Sequence, residues 1–103
     1  MHMKAHLSLI KHSLNNGCRI AVYVDGSLEL QASFDYSKIK EASECADECS
    51  LAILRGPKGN LEFRESALII HDGGDDTVSD YSVPSAPWKK GFIDAWFDRY
   101  LAA

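Results

Sequence analysis

The sequence lacks long apolar runs, and its few cysteines are odd in number. The longest uninterrupted apolar run extends only from Ile20 to Val24, whereas a membrane-spanning helix needs about 20 such residues. The first residues also lack the apolar core of a signal peptide. The chain has 3 cysteines, and an odd number is typical of a reducing compartment rather than of a disulfide framework. These absences predict a cytoplasmic protein without membrane contact.

The sequence also lacks basic residues in excess. Its 11 Lys and Arg residues are outnumbered by 15 Asp and Glu residues, which gives a net charge of −4. A protein that binds nucleic acid directly must neutralise phosphates with cationic side chains, so we expect no direct nucleic-acid binding. The acidic balance favours a basic protein as partner, although a charge of this size also serves solubility.

Signatures of cofactor or catalytic sites are missing as well. Cys45 and Cys49 are four apart on a predicted helix and share a face, but no second pair of ligands completes a zinc site. The acids around Asp72 lack the alternation and the terminal Glu of a calcium-binding loop. His71 beside Asp72 has no serine or cysteine in a recognisable nucleophile motif, and Gly56-Pro57-Lys58-Gly59 is too short for a phosphate loop. We therefore predict no metal, no cofactor and no catalytic residue.

The first half of the chain predicts a helix followed by a hairpin and a second helix. Apolar residues at helical spacing, Met3, Leu7, Ile10 and Leu14, form the first stripe. Strands over 18–24 and 27–34 flank Asp25-Gly26, a strong hairpin signal. Alternation places Leu28, Leu30, Ala32 and Phe34 on the inner face. Asp35 or Ser37 can cap the second helix, whose apolar stripe runs from Ile39 to Cys49.

The second half predicts another hairpin and a terminal helix. Its strands cover 51–55 and 61–64, and the apolar stretch 67–70 is either a separate strand or a continuation past a bulge near Glu65-Ser66. Strand composition returns over 77–83, and a helix covers 88–101. We expect one α+β domain over 1–103, with an antiparallel sheet of 4–5 strands. Its elements follow an α-β-β-α-β-β-(β)-α order, and the helices pack on the sheet.

The two hairpins resemble each other in sequence. The segments 26–33 and 59–66 share Gly, Leu, Glu and Ser at equivalent positions, and Ile20 corresponds to Ile53 at the same offset. Two interpretations remain open. The chain contains an internal αββ duplication with a pseudo-twofold axis, or two unrelated hairpins share the same turn and alternation chemistry.

The terminal helix carries two neighbouring apolar stripes. One stripe consists of Trp88, Phe92, Trp96 and Tyr100, and the other consists of Ile93, Phe97 and Leu101. Together the two stripes cover a wider arc of the helix surface than packing against one core requires. Such a helix is either buried on both flanks or uses one stripe to bind a second molecule. Trp and Tyr anchor many interfaces, so the first stripe is a candidate interface for a protein partner or for a second copy in a homodimer.

Acidic residues cluster in two stretches of the chain, 41–48 and 72–80. These are Glu41, Glu44, Asp47, Glu48, Asp72, Asp75, Asp76 and Asp80. If the two stretches converge, they present a negative patch to a basic partner. The leading hypothesis is a non-enzymatic protein-binding module of the inhibitor, immunity or DNA-mimic type. The alternative is a small-molecule-binding or enzymatic domain with a pocket between sheet and terminal helix, lined by Trp88, Trp96 and His71.

Overall fold

The computed structural model describes residues 4–55, 62–71, 77–80 and 92–102. The described elements are α1 (Ala5–Asn15), β1 (Arg19–Val24), β2 (Ser27–Ser33), α2 (Tyr36–Ser43), β3 (Glu48–Arg55), β4 (Glu62–Ile70), β5 (Thr77–Asp80) and α3 (Phe92–Ala102). The strands form one antiparallel sheet in the order β2-β1-β3-β4-β5. The predicted α+β class, with helices packed on an antiparallel sheet, is confirmed.

One face of the sheet is covered by helices and holds the core. Alternate strand residues point to it, among them Ile20 and Val22 of β1 and Leu51 and Ile53 of β3, all buried. They form one apolar cluster with residues of α1, α2 and α3. The residues between them point to the opposite side, which we call the outer face.

The buried stripe of α1 differs from the predicted one. Ala5, His6, Leu9, Ile10 and Ser13 are buried, while Leu7 and Leu14 are only half-buried. The helix is rotated because two polar residues find partners inside the protein. Ser13 Oγ donates to the carbonyl of Leu9 at 2.9 Å, and His6 bonds to Glu44, the residue that follows α2. Polar groups that are hydrogen-bonded can be buried at little cost.

The β2 strand does not follow the predicted alternation, because its ladder with β1 contains two register shifts. Val22 pairs with Leu30, but the next residue, Tyr23, pairs with Leu28, so β2 carries an extra residue between them. A shift of one residue transfers the following side chains to the other face. Leu28 and Phe34, which were predicted to point inward, are therefore exposed.

The second helix ends earlier than predicted, at Ser43. Asp35 caps its start by accepting a hydrogen bond from the Lys38 amide at 3.3 Å. At its end, the Ser43 carbonyl accepts hydrogen bonds from the Cys49 thiol at 3.4 Å and from His71 Nε2 at 2.7 Å. These donors satisfy the carbonyl without further helical turns. The prediction that Cys45 and Cys49 share a helix face is wrong, since Cys45 follows the helix and Cys49 lies in β3.

Both hairpins are present. The turn between β1 and β2 has positive φ at Asp25 (52°) and Gly26 (78°), as a type I′ turn requires. In the second hairpin, β4 is one continuous strand, so the bulged alternative is confirmed. Pairing passes from Ile53 with Glu65 to Leu54 with Phe63, which leaves one extra residue in β4.

Candidate functional site

Four of the predicted acidic residues lie around the end of α2 and the start of β3. Glu41 and Glu44 belong to the last part of α2 and its cap, Asp47 lies in the following turn, and Glu48 begins β3. All four are exposed. We call these four residues the acidic surface. Asp47 and Glu48 were expected on a helix, and the early end of α2 places them on a turn and a strand instead.

Three of the other four predicted acids lie outside the described residues, and the structure describes the residues on both sides of that stretch. Asp72, Asp75 and Asp76 are outside the described residues, and Asp80 belongs to β5. On one side of this stretch, the amide of His71 donates to the carbonyl of Asp47 at 2.8 Å. On the other side, Thr77 pairs with Ile70, which itself pairs with Glu48. One end of the 72–76 stretch is thus bonded to the acidic surface, and the other end is level with Glu48 but two strands away from it.

A further acid, Asp25, lies close to Glu48. The two residues line one cleft of about 220 Å³, together with Tyr23, Gly26, Cys49, Ser50 and Leu68. Sequence reasoning assigned Asp25 only a turn role, and its proximity to Glu48 follows from the pairing of β1 with β3. Glu41 likewise shares a cleft of about 380 Å³ with Glu29 and Lys38, beside Leu30, Ala42 and Cys45.

Glu44 has a structural role within the acidic surface. Its carboxylate accepts a hydrogen bond from Nε2 of the buried His6 at 2.8 Å and another from Lys40 Nζ at 2.8 Å. Partial burial alone would raise the pKa of Glu44, but the Lys40 and His6 hydrogen bonds and charges outweigh it and lower that pKa below 4.5. Glu44 therefore stays ionised and joins α1 to α2, so its charge is already matched within the chain.

His6 and His71 meet where α1, α2 and the end of β4 come together. Their rings contact edge to face with centroids 4.9 Å apart. Because a carbonyl only accepts, Nε2 of His71 carries the proton that it donates to Ser43. No local sequence pattern indicates the partner of His6, since Glu44 lies 38 positions away. In the described parts of the chain, no three His, Cys, Asp or Glu side chains are grouped to hold a metal.

The terminal helix directs its central aromatic residue into the protein. Trp96 is 2% exposed, its Nε1 donates to Ser8 Oγ of α1 at 3.0 Å, and its ring stacks on Tyr100 with centroids 5.4 Å apart. Trp88 lies outside the described residues, and for Phe92 only the backbone is described. The role of this stripe as a partner interface stays a prediction.

The alternative function placed a pocket between the sheet and the terminal helix. There, Ile93 and Trp96 belong to the apolar core cluster, and His71 bonds to Ser43 rather than to a residue of α3. Trp88 was the third predicted lining residue. The pocket hypothesis stays a prediction that no described contact favours.

The chain matches no protein family, no curated protein and no solved structure. None of the described helices has the length and apolar character needed to cross a membrane. The chain is therefore described by its fold and its acidic surface, as a small α+β domain with exposed acids around the end of α2, and its function is argued from these residues.

Proposed function

We propose that the chain is a non-enzymatic protein-binding module that recognises a basic protein partner through its acidic surface. The observation that carries this proposal is the exposure of Glu41, Asp47 and Glu48 within one short stretch, to which one end of the 72–76 stretch is bonded. Carboxylates on the 72–76 stretch would add to the same patch.

The charge balance of the described residues supports this direction. Lys40 pairs with Glu44, and Lys38 is next to Glu41 in its cleft. Asp47 and Glu48 lie beyond both lysines in sequence, and Asp25 lies close to Glu48. Like charges concentrated on one edge create a negative field that steers a cationic partner and raises its association rate. Inhibitor, immunity and DNA-mimic proteins would use such a surface.

Affinity capture with charge-reversed variants tests the proposal. The chain is immobilised as the wild type, as Asp47→Lys, as Glu41→Lys, and as the control Asp98→Lys, which reverses an exposed acid on α3. We expect a partner that the wild type and the control retain, that both surface variants lose, and that elutes at high salt. A partner retained equally by all four forms would contradict the acidic-surface proposal.

The nature of the partner separates the three roles. If the partner binds nucleic acid, a DNA mimic competes with DNA for it, so fluorescence anisotropy of a labelled DNA–partner complex should fall when the chain is added. The Asp47→Lys variant should displace less DNA at the same concentration. Binding without displacement would leave the inhibitor or immunity role and exclude mimicry of DNA.

The terminal helix is the weaker component of the proposed interface. Trp96 already donates its indole hydrogen to Ser8, so a partner would have to use other residues of the stripe. Tyr100, which is half-buried, is the described candidate. Loss of the captured partner on Tyr100→Ala, with an unchanged circular dichroism spectrum, would support a role for this helix.

The internal αββ duplication is proposed on the strand pairing. If the sheet is duplicated, a twofold axis perpendicular to the sheet passes between β1 and β3. Equivalent residues of these two strands then pair with each other at the axis. Ile20 pairs with Ile53, and the offset of 33 that relates them also relates the similar segments 26–33 and 59–66.

A further inference from the structure

The large apolar side chains that are exposed in the described residues lie on the outer face, with Tyr23 and Leu28 at one end and Phe34 at the other. Tyr23 is 37% exposed, Leu28 is 49% exposed and Phe34 is 48% exposed. Tyr23 and Leu28 are directly paired across β1 and β2. Arg19 projects from the same face of β1 as Tyr23, and its guanidinium lies over the Phe34 ring, 5.1 Å from the centroid. Grouped exposed apolar residues mark an interaction site more often than scattered ones do.

This face has a projection at one end and a cleft at the other. The projection is the Arg19–Phe34 pair, at the start of β1. The cleft is the one of about 220 Å³ that Tyr23, Asp25 and Glu48 help to line. Between them lie the small side chains of Ala21, which is 5% exposed, and Ala52, and these two residues pair directly. The face therefore carries a cationic aromatic projection and an acidic cleft on the same surface.

We propose that the outer face binds a second copy of this chain, with the Arg19–Phe34 projection of each copy in the acidic cleft of the other. A twofold axis that lies between the two sheets, perpendicular to the strands and level with the Val22–Leu51 pair, is midway between Arg19 and Glu48 along the strands. It brings Arg19 of each copy to Glu48 of the other.

Charge complementarity selects a second copy as the occupant. Arg19 pairs across from Leu54, and Glu48 lies six residues along β3 from Leu54, so the two charges are about 20 Å apart along the strands. At that separation they interact weakly within one chain. A surface that contains both halves of a complementary contact is suited to an isologous dimer, in which each contact forms twice. A basic partner would match only the cleft and would repel Arg19.

Sedimentation velocity of charge-reversed variants, singly and mixed, tests this arrangement. In a homodimer of Arg19→Glu, both contacts between positions 19 and 48 join two acids, and in a homodimer of Glu48→Arg both join two bases. Each variant alone should therefore dimerise at least about tenfold more weakly than the wild type. An equimolar mixture of the two should dimerise again, because the two reversed side chains attract each other in one contact and the native pair remains in the other. Lys4→Glu and Asp98→Arg, which reverse exposed charges elsewhere, should dimerise like the wild type.

Three results would overturn the proposal: a wild type that stays monomeric at the highest attainable concentration, single variants that dimerise like the wild type, or a mixture that fails to recover dimers. Phe34→Ser gives a second route if a charge variant does not fold, and it should weaken dimerisation because it removes the projection. The dimer shares Glu48 with the acidic surface, and Glu41→Lys separates the two proposals, since it should abolish capture of a basic partner and leave the dimer unchanged.

Discussion

The two faces of the sheet use the same strands in opposite ways. On the helix-covered face, Ile20 and Val22 are buried in a continuous apolar core, and the polar groups near it, such as His6 and Trp96 Nε1, are hydrogen-bonded. On the outer face, small residues occupy the centre and the large ones, Tyr23 and Phe34, remain exposed at the ends. Large apolar side chains of β1 are therefore buried where helices cover the sheet, whereas Tyr23 on the opposite face stays exposed.

Truncation of a large core side chain should give the largest effect. Trp96→Ala removes a buried ring and its hydrogen bond to Ser8, so we expect the free energy of unfolding to fall by about 3–5 kcal/mol. Trp96→Phe keeps most of the ring and should lose less than the alanine variant. Urea denaturation measures both. Equal losses in the two variants would show that packing of the ring contributes nothing.

The buried junction between α1 and α2 should give the next largest effect. His6→Ala removes a buried ring that donates to Glu44, and we expect a loss of about 1–3 kcal/mol in unfolding free energy. Glu41→Ala, an exposed substitution on the same helix as the junction, should change stability by less than about 0.5 kcal/mol. Comparable losses for the two variants would contradict the structural role of His6.

The turn that joins β1 to β2 should give an intermediate effect. Gly26 has φ of 78°, a conformation that costs an L-residue roughly 1 kcal/mol. Gly26→Ala should therefore destabilise the protein by about that amount, although a Cβ there meets no atom within 4 Å. Ser27→Ala, next to the turn and exposed, is the matched control. Thermal unfolding of both variants separates backbone strain from loss of packing.

Acidification should weaken the helix-covered side. Partial burial and then the charge of Arg99 lower the pKa of His12 below 6.5. Partial burial opposes ionisation of Glu44, but the Lys40 and His6 hydrogen bonds outweigh it and lower the pKa of that carboxyl below 4.5. Because the pKa of each group is lower in the folded chain than in the unfolded chain, protonation of either group favours unfolding. Their contribution to the free energy of unfolding is complete above the unfolded-state pKa and is lost as the pH falls through the folded-state pKa. Glu44→Gln should flatten the acidic limb of a plot of unfolding free energy against pH. An unchanged acidic limb would contradict this assignment.

An exposed residue of the outer face should give the smallest effect on stability. Phe34→Ala removes a side chain that is about half exposed, so we expect a change within about 0.5 kcal/mol when the protein is monomeric. If the same variant weakens self-association, Phe34 contributes to the dimer contact and not to the core. A loss as large as that of Trp96→Ala would instead place Phe34 in the core.

The presence of several helices and strands follows from residues that are close in sequence, whereas the end of α2 and the register of β2 depend on contacts between distant residues. The Asp25-Gly26 turn and the alternation in β1 depend on neighbours in sequence, and both predictions agree with the structure. The end of α2 at Ser43 depends on His71, which is 28 positions away, and nothing near residue 43 indicates it. The extra residues in β2 are also invisible in an alternating sequence, so the exposure of Leu28 was not predicted. Of the candidate site, the cluster at 41–48 was identified, but the positions of Asp25 and Arg19 require the sheet pairing, and the contact of His6 with Glu44 requires the packing of α1 against α2.

The acidic surface is the central functional claim, and the affinity of the captured partner for the wild type, Asp47→Lys and Asp98→Lys tests it most directly. Measured by titration calorimetry across a range of salt concentrations, the wild-type affinity should fall as salt increases. Asp47→Lys should bind at least about tenfold more weakly at low salt, and Asp98→Lys should match the wild type. An affinity that is insensitive to salt and equal in the three proteins would contradict the claim.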